Sequence, residues 1–140
     1  MRDAFKYITS LLFIAVVVQV GFAGYGAFNA IDKADSDKTV TKHQIENGFD
    51  PHGALGTIVV AIMLILVIVA LAGRIGGLLA RLSIVLLVLG ILQMLFAYLG
   101  TVSAPLGFLH GINALAIYGA VAFLALRAWT QRHVGAPAAV

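Results

Sequence analysis

Residues 92–113, LQMLFAYLGTVSAPLGFLHGIN, decide the fold, because a long apolar run ends there, turns and starts again. The turn falls at Ser103-Ala104-Pro105, and the run that follows it carries His110. Helix-length apolar runs joined by a few turn residues are typical of antiparallel helical hairpins. The stretch therefore predicts two apolar helices that reverse direction, with a histidine near the start of the second.

A weaker copy of this stretch occurs earlier in the chain. Residues 18–26, VQVGFAGYG, align without gaps to residues 92–100, LQMLFAYLG, with the Gln, the Phe, the Ala and the final Gly identical. A His-Gly dipeptide follows each copy, as His52-Gly53 and as His110-Gly111. We interpret the pattern as a duplicated helical hairpin, each half contributing one glutamine and one histidine to a shared interior. The match is short, so chance resemblance is the alternative.

The composition places the chain in a membrane. The 140 residues are 61% hydrophobic and 11% charged, with a mean hydropathy of +1.03. A soluble domain of this size has too little interior to bury so much apolar surface. The net charge of +3 lies at helix ends, where it orients the chain, and nucleic acid is not an expected partner. Without cysteine, disulfides, thiolate metal sites and covalent haem attachment are excluded.

Apolar runs predict the membrane spans. They cover residues of about 7–28, 51–72, 82–102 and 105–129. A secretory signal peptide is the alternative for the first run, but that run exceeds an apolar region of about 7–15 residues and no A-x-A site follows it. The sequence thus predicts an all-α, four-helix up-down bundle that forms a single transmembrane domain over residues 1–140.

The segment 29–50 is the only strongly polar part of the chain, and we predict a solvated outer loop there. Pro51 is expected to begin the second span, because proline suits the first turn of a helix. His43 lies in this loop without a second ligand at chelating spacing, so it is interpreted as a surface residue.

Basic residues orient the bundle. One set of helix ends carries six bases, and the other carries three lysines diluted by five acids; the six are Arg2, Lys6, Arg74, Arg81, Arg127 and Arg132. The positive-inside rule predicts a multi-pass protein of the cell membrane with both termini in the cytoplasm. His52 and His110 then lie at the outer ends of the second and fourth helices.

In such a bundle the second and fourth helices lie diagonally across the core, about 12–14 Å apart. That separation suits two imidazoles that bind one metal centre between them, and we expect it to be too wide for direct contact between His52 and His110. Whether the two histidines lie level depends on whether Arg127 or Arg132 marks the inner boundary of the last helix.

Small residues accompany each histidine. Gly53 and Gly56 follow His52, and Gly111 and Ala114 follow His110. Small side chains leave helix backbone bare, so a flat macrocycle could lie against it. The alternative is close helix packing, which Gly107-x-x-x-Gly111 also fits.

Three carboxamides lie within the predicted spans, at Gln19, Gln93 and Asn113. Because an unpaired amide is costly in hydrocarbon, we expect these to face the interior and to bond one another, backbone carbonyls or a ligand. Interhelical amide bonds that serve only the fold are the alternative. No acid or base lies in the interior of a span, which argues against an ion-coupled transporter or a proton pump.

The segments VVVQVGFAGYGAF, FDPHGALG and LGFLHGINAL resemble a family of small, functionally uncharacterised four-helix bacterial membrane proteins common in actinobacteria. The layout is more distantly similar to one half of haem A synthase, in which histidines of the second and fourth helices face a haem. That resemblance implies His52 and His110 as axial ligands. The chain lacks the glutamate typically found one turn before the first histidine, since Asp50 is only two residues away, and this puts conversion of haem O to haem A in doubt.

These observations predict a protein that binds haem b through His52 and His110, for electron transfer or haem handling. The predicted cofactor-binding set adds the neighbouring small and amide residues, Gly53, Gly56, Gly111, Ala114, Gln19, Gln93 and Asn113. A non-catalytic accessory subunit of a larger membrane complex is the main alternative, and a metal or small-molecule carrier is a third. The expected partners are the lipid bilayer and a membrane-protein complex or homo-oligomer. No catalytic residue is assigned, and whether the protein is an enzyme stays open.

Overall fold

The computed structural model describes residues 1–35 and 39–130, which form four long helices. Helix α1 spans Arg2–Asp35, α2 spans Lys42–Ala72, α3 spans Gly77–Gly100 and α4 spans Ala104–Thr130. All four are long and apolar enough to cross a membrane. The predicted all-α, four-helix membrane bundle is thereby confirmed. The predicted basic flank at Arg132 and His133 lies outside the described residues.

The helices pack as two hairpins side by side. Helix α1 packs most extensively against α2, and α3 against α4, while α2–α3 and α1–α4 contacts join the two hairpins. Helices α2 and α4 therefore lie diagonally across the bundle, as the short connections predicted. We call the end with residue 1, the 73–76 turn and residue 130 the terminal end, and the opposite end the loop end.

The apolar core lies toward the terminal end. Each helix contributes fully buried side chains to it, including Phe5, Leu12, Met63, Leu66, Leu79, Leu86, Val121 and Leu124. The buried hydroxyls of Thr9 and Ser83 bond to backbone carbonyls one turn earlier in their own helices, so they need no partner across the core. Large apolar side chains on the outside of the bundle stay exposed, such as Leu11, Ile68, Val88 and Leu126. A bilayer accepts this outer surface without cost.

The structure corrects the predicted loop at residues 29–50. Helix α1 continues past Phe28 to Asp35, and α2 begins at Lys42, so most of this polar segment is helical. Thr41 caps α2: its hydroxyl accepts from the Gln44 backbone N–H at 3.3 Å, and the Gln44 side chain accepts from the Thr41 N–H at 2.9 Å. Pro51 consequently lies inside α2 and does not begin it.

Close packing between α1 and α2 accounts for the additional helix. The Phe49 ring covers Gly26 so closely that a Cβ atom at position 26 would lie 2.6 Å from it. At 1.5 Å per residue, α1 continues past Gln19 for about 24 Å, whereas α3 continues past Gln93 for only about 10 Å. The first hairpin therefore extends farther than the second at the loop end.

Candidate functional site

Two histidines are held in the same way, one in each hairpin. The Nδ1 of His52 lies 3.1 Å from the backbone carbonyl of Gln19, and the Nδ1 of His110 lies 3.0 Å from the backbone carbonyl of Gln93. A carbonyl can only accept, so each Nδ1 carries the proton and donates it. In the neutral imidazole, Nε2 is then the unprotonated nitrogen that can bind a metal. The repeated contact agrees with a duplicated hairpin.

The two imidazoles meet at the centre of the bundle. Their ring centroids are 6.1 Å apart and their planes make an angle of 64°. The expectation that His52 and His110 are too far apart for direct contact was wrong, because side chains that point inward from diagonal helices close most of the distance between the helix axes. The short separation also places the histidines at one level of the bundle. Phe49 packs edge-on against His52, with ring centroids 6.4 Å apart.

In the second hairpin, a chain of amide hydrogen bonds fixes the orientation of every member. Asn113 Nδ2 donates to the backbone carbonyl of Leu89 at 2.9 Å and to Gln93 Oε1 at 2.6 Å. Since Oε1 of Gln93 faces Asn113, its Nε2 faces His110 and donates to the imidazole Nε2 at 3.1 Å. His110 therefore has both ring nitrogens bonded to the same glutamine, one to its backbone and one to its side chain.

In the first hairpin, the side-chain amide of Gln19 does not bond to the histidine ring. Gln19 Nε2 donates to the backbone carbonyl of His52 at 2.6 Å, away from the imidazole. A Cβ atom on Gly56 would lie 3.0 Å from this amide nitrogen, so the glycine makes room for it. Gln19 Oε1 is buried and has no hydrogen-bond partner in the part of the chain that the structure describes. Among the described residues, His52 Nε2 has no hydrogen bond.

The predicted site residues thus divide into two groups. Contacts connect His52 with Gln19 and His110, connect Gln93 with both His110 and Asn113, and place Gly56 beside Gln19. Gly53 and Gly111, in contrast, are exposed with open space around their Cα atoms, and Ala114 is half-buried. The packing alternative holds for Gly107, whose backbone closely approaches Gly100 of α3.

Among the described residues, no further histidine joins this centre. His43 is exposed, and within residues 1–35 and 39–130 its imidazole bonds to the side chain of Asn47, 3.3 Å away and one turn later. In residues 1–35 and 39–130, no three His, Cys, Asp or Glu side chains come together as a metal site. Of the groups at the centre, sequence reasoning missed the edge-on ring of Phe49 and the backbone acceptor at Leu89. The spacing of Phe49, one turn before His52, is the signal that could have found the first.

Comparison with known proteins gives a family but no function. No curated protein and no solved structure matches the chain. The matched segment of the family model, residues 19–102, contains Gln19, His52 and Gln93 and ends before His110. It covers more than half of the chain, which therefore belongs to a family of unknown function (DUF6220).

Proposed function

We propose that this protein binds one low-spin haem b between His52 and His110 and acts in electron transfer or haem handling. The observation that carries the proposal is the meeting of two imidazoles at the bundle centre, each with its Nδ1 proton donated to a backbone carbonyl. Metal-binding histidines usually have such a second hydrogen bond, which fixes the tautomer and the orientation of the ring.

The separation of the two imidazole rings fits a single metal ion bound by both histidines. Two imidazoles that bind one metal from opposite sides, each nitrogen about 2 Å from the ion, have ring centres about 6 Å apart. The observed separation of 6.1 Å agrees with that value. A haem needs only two protein ligands, whereas a structural zinc site needs about four. A pair of histidines without a third ligand thus favours haem over zinc.

This chain's own residues would hold and orient the ligands. The backbone carbonyls of Gln19 and Gln93 fix the two imidazoles, and Phe49 covers one edge of His52. A haem held by both His52 and His110 would supply electron transfer and not oxygen activation. The layout resemblance to one half of haem A synthase, which we infer from the sequence alone, would imply the same pair of ligands, but conversion of haem O to haem A is not part of the proposal.

The distribution of basic residues supports the orientation that we propose for the bundle. Both termini and the basic turn at Arg74 would face the cytoplasm, and the loop end would face outward. The histidine pair lies on the loop-end side of the apolar core, so the haem would lie near the outer face of the membrane.

Absorption spectroscopy tests this function. The protein purified from haem-replete cells should show a Soret band and, on reduction, the split bands of a six-coordinate b-type centre, at about one haem per chain. His52→Ala and His110→Ala should each abolish the low-spin spectrum, and His43→Ala should leave it unchanged. Colourless protein that also fails to take up added haemin would refute the proposal.

A second candidate is an accessory subunit in which the histidines serve the fold. The observation that favours it is the bond from Gln93 Nε2 to His110 Nε2, because it satisfies the imidazole without a cofactor. In that case the two His→Ala variants would lower the thermal stability of a colourless protein.

A further inference from the structure

We propose that the Gln93 side chain is a built-in latch on His110, which any metal centre must displace before His110 can bind it. The inference rests on the proposed function for its ligand, but the latch itself consists of contacts within the chain. Gln93 Nε2 lies 3.1 Å from His110 Nε2, the atom that would coordinate a metal. His110 cannot accept this hydrogen bond and bind a metal through the same lone pair.

Asn113 holds the latch closed. Its amide donates to Gln93 Oε1 and to the Leu89 backbone carbonyl, so the Gln93 amide is anchored at its far side by a group that is itself anchored to the α3 backbone. Because the backbone carbonyl admits only a donor, none of the amides in this chain can reverse without losing a hydrogen bond. The latch therefore has a single orientation, with a donor facing His110.

The equivalent residues of the first hairpin do not form a latch, and two sequence differences explain why. The position three residues after the histidine is Asn113 in the second hairpin but Leu55 in the first, and leucine cannot hold an amide. The position four residues after the histidine is Ala114 in the second hairpin but Gly56 in the first. The bare backbone at Gly56 lets the Gln19 amide bond to the His52 carbonyl instead.

A repeated hairpin has thus produced an asymmetric site. His52 presents an Nε2 without a hydrogen bond among the described residues, whereas the Nε2 of His110 is occupied. A metal centre could therefore bind His52 directly, whereas binding to His110 would require the Gln93 amide to move away.

Chemical modification of the haem-free, full-length protein tests the latch without any cofactor. Diethyl pyrocarbonate acylates the unprotonated imidazole nitrogen, and peptide mass spectrometry reads the rate at each histidine. Gln93→Met keeps the side-chain length but removes the amide, so modification of His110 should become about fivefold faster, the factor that corresponds to one net hydrogen bond. Asn113→Leu, which removes the anchor, should also accelerate it.

Gln19→Met is the matched control, because Gln19 makes no contact with the His52 Nε2. It should leave the modification rates at both imidazoles within about twofold of the unmodified protein, less than the effect of one hydrogen bond. An unchanged rate at His110 in both Gln93→Met and Asn113→Leu would overturn the latch. These rates do not depend on haem, so colourless protein that takes up no added haemin would refute the proposed function and leave this test in place.

A transplant provides the converse test. The double change Leu55→Asn and Gly56→Ala gives the first hairpin the anchor of the second and closes the space that Gln19 uses. Modification of His52 should then become slower, because the Gln19 amide is turned toward its Nε2. Modification of His52 at the original rate would show that these two positions do not determine the asymmetry and would overturn that part of the inference.

Discussion

Each central histidine donates its Nδ1 proton to a backbone carbonyl and not to a side chain. Substitution of Gln19 or Gln93 therefore leaves the acceptor for the imidazole Nδ1 in place. Only displacement of α1 relative to α2, or of α3 relative to α4, removes it. The glutamine side chains can thus bond elsewhere. The Gln19 amide donates to the His52 backbone carbonyl, and the Gln93 amide donates to the His110 imidazole.

The histidines and amides of the centre could be predicted from the sequence, but their hydrogen-bond partners could not. The repeat around Gln19 and Gln93 and the cost of a bare amide in hydrocarbon predicted that these side chains and Asn113 face the interior. Whether a side-chain amide bonds to an imidazole or to a backbone carbonyl depends on small differences in the space around the amide. The choice at Gln19 follows from the space beside Gly56, which is visible only once α1 and α2 are packed.

The close approach of Gly100 to the α4 backbone predicts the effect of a substitution there. A Cβ atom at position 100 would lie 2.9 Å from the Cα of Gly107, and neither backbone can move without separating α3 from α4. Gly100→Ala should destabilise the protein by about 1–3 kcal/mol through overpacking. Thermal unfolding in detergent measures this change.

Gly119→Ala is the control on the neighbouring helix, since a Cβ atom there meets nothing within 4 Å. It should be neutral or should stabilise the protein by up to about 1 kcal/mol, because alanine favours the helix. Equal effects of the two substitutions would mean that α3 and α4 are not in close contact at Gly100.

At the scale of the helix, composition predicted the apolar spans well and the polar helix ends poorly. Hydropathy places a span where the chain is apolar, but α1 and α2 continue as helices through residues 29–35 and 42–50. The start of α2 had a readable signal in the capping box of Thr41 and Gln44. Pro51 indicated a later start for α2, because proline is commoner in the first turn of a helix than in its interior.

Removal of the cap tests the start of α2. Thr41→Ala deletes the hydroxyl that accepts from the Gln44 backbone N–H and should cost about 1 kcal/mol of local helix stability. Hydrogen exchange should then accelerate at the amides of the first turn, near residues 43–45, and stay unchanged near Val59 in the core. Thr39→Ala, two residues before the cap, should have no such effect.

At the scale of the whole molecule, the protein is a pair of hairpins whose loop ends differ in length. Residues 39–50 of the first hairpin form the polar surface that would contact the aqueous phase beyond the second. The chain has no cysteine, so its topology can be read with single introduced cysteines.

The proposed orientation rests on the excess of bases at the terminal end. A cysteine that replaces exposed Thr39 should react with a membrane-impermeant thiol reagent added to intact cells, and one that replaces exposed Gly76 should react only after the cells are opened. Labelling in the reverse order would place the histidine pair near the cytoplasmic face.

The pairing of each histidine with the preceding helix has a consequence for biogenesis. Both imidazole-to-carbonyl contacts lie within a hairpin, so the first can form when residues 1–72 have entered the bilayer, before the second hairpin has been synthesised. The contact between His52 and His110, in contrast, spans the two hairpins, so it can form only after both have inserted. Each imidazole can thus be oriented within its own hairpin, and only association of the two hairpins brings the imidazoles together.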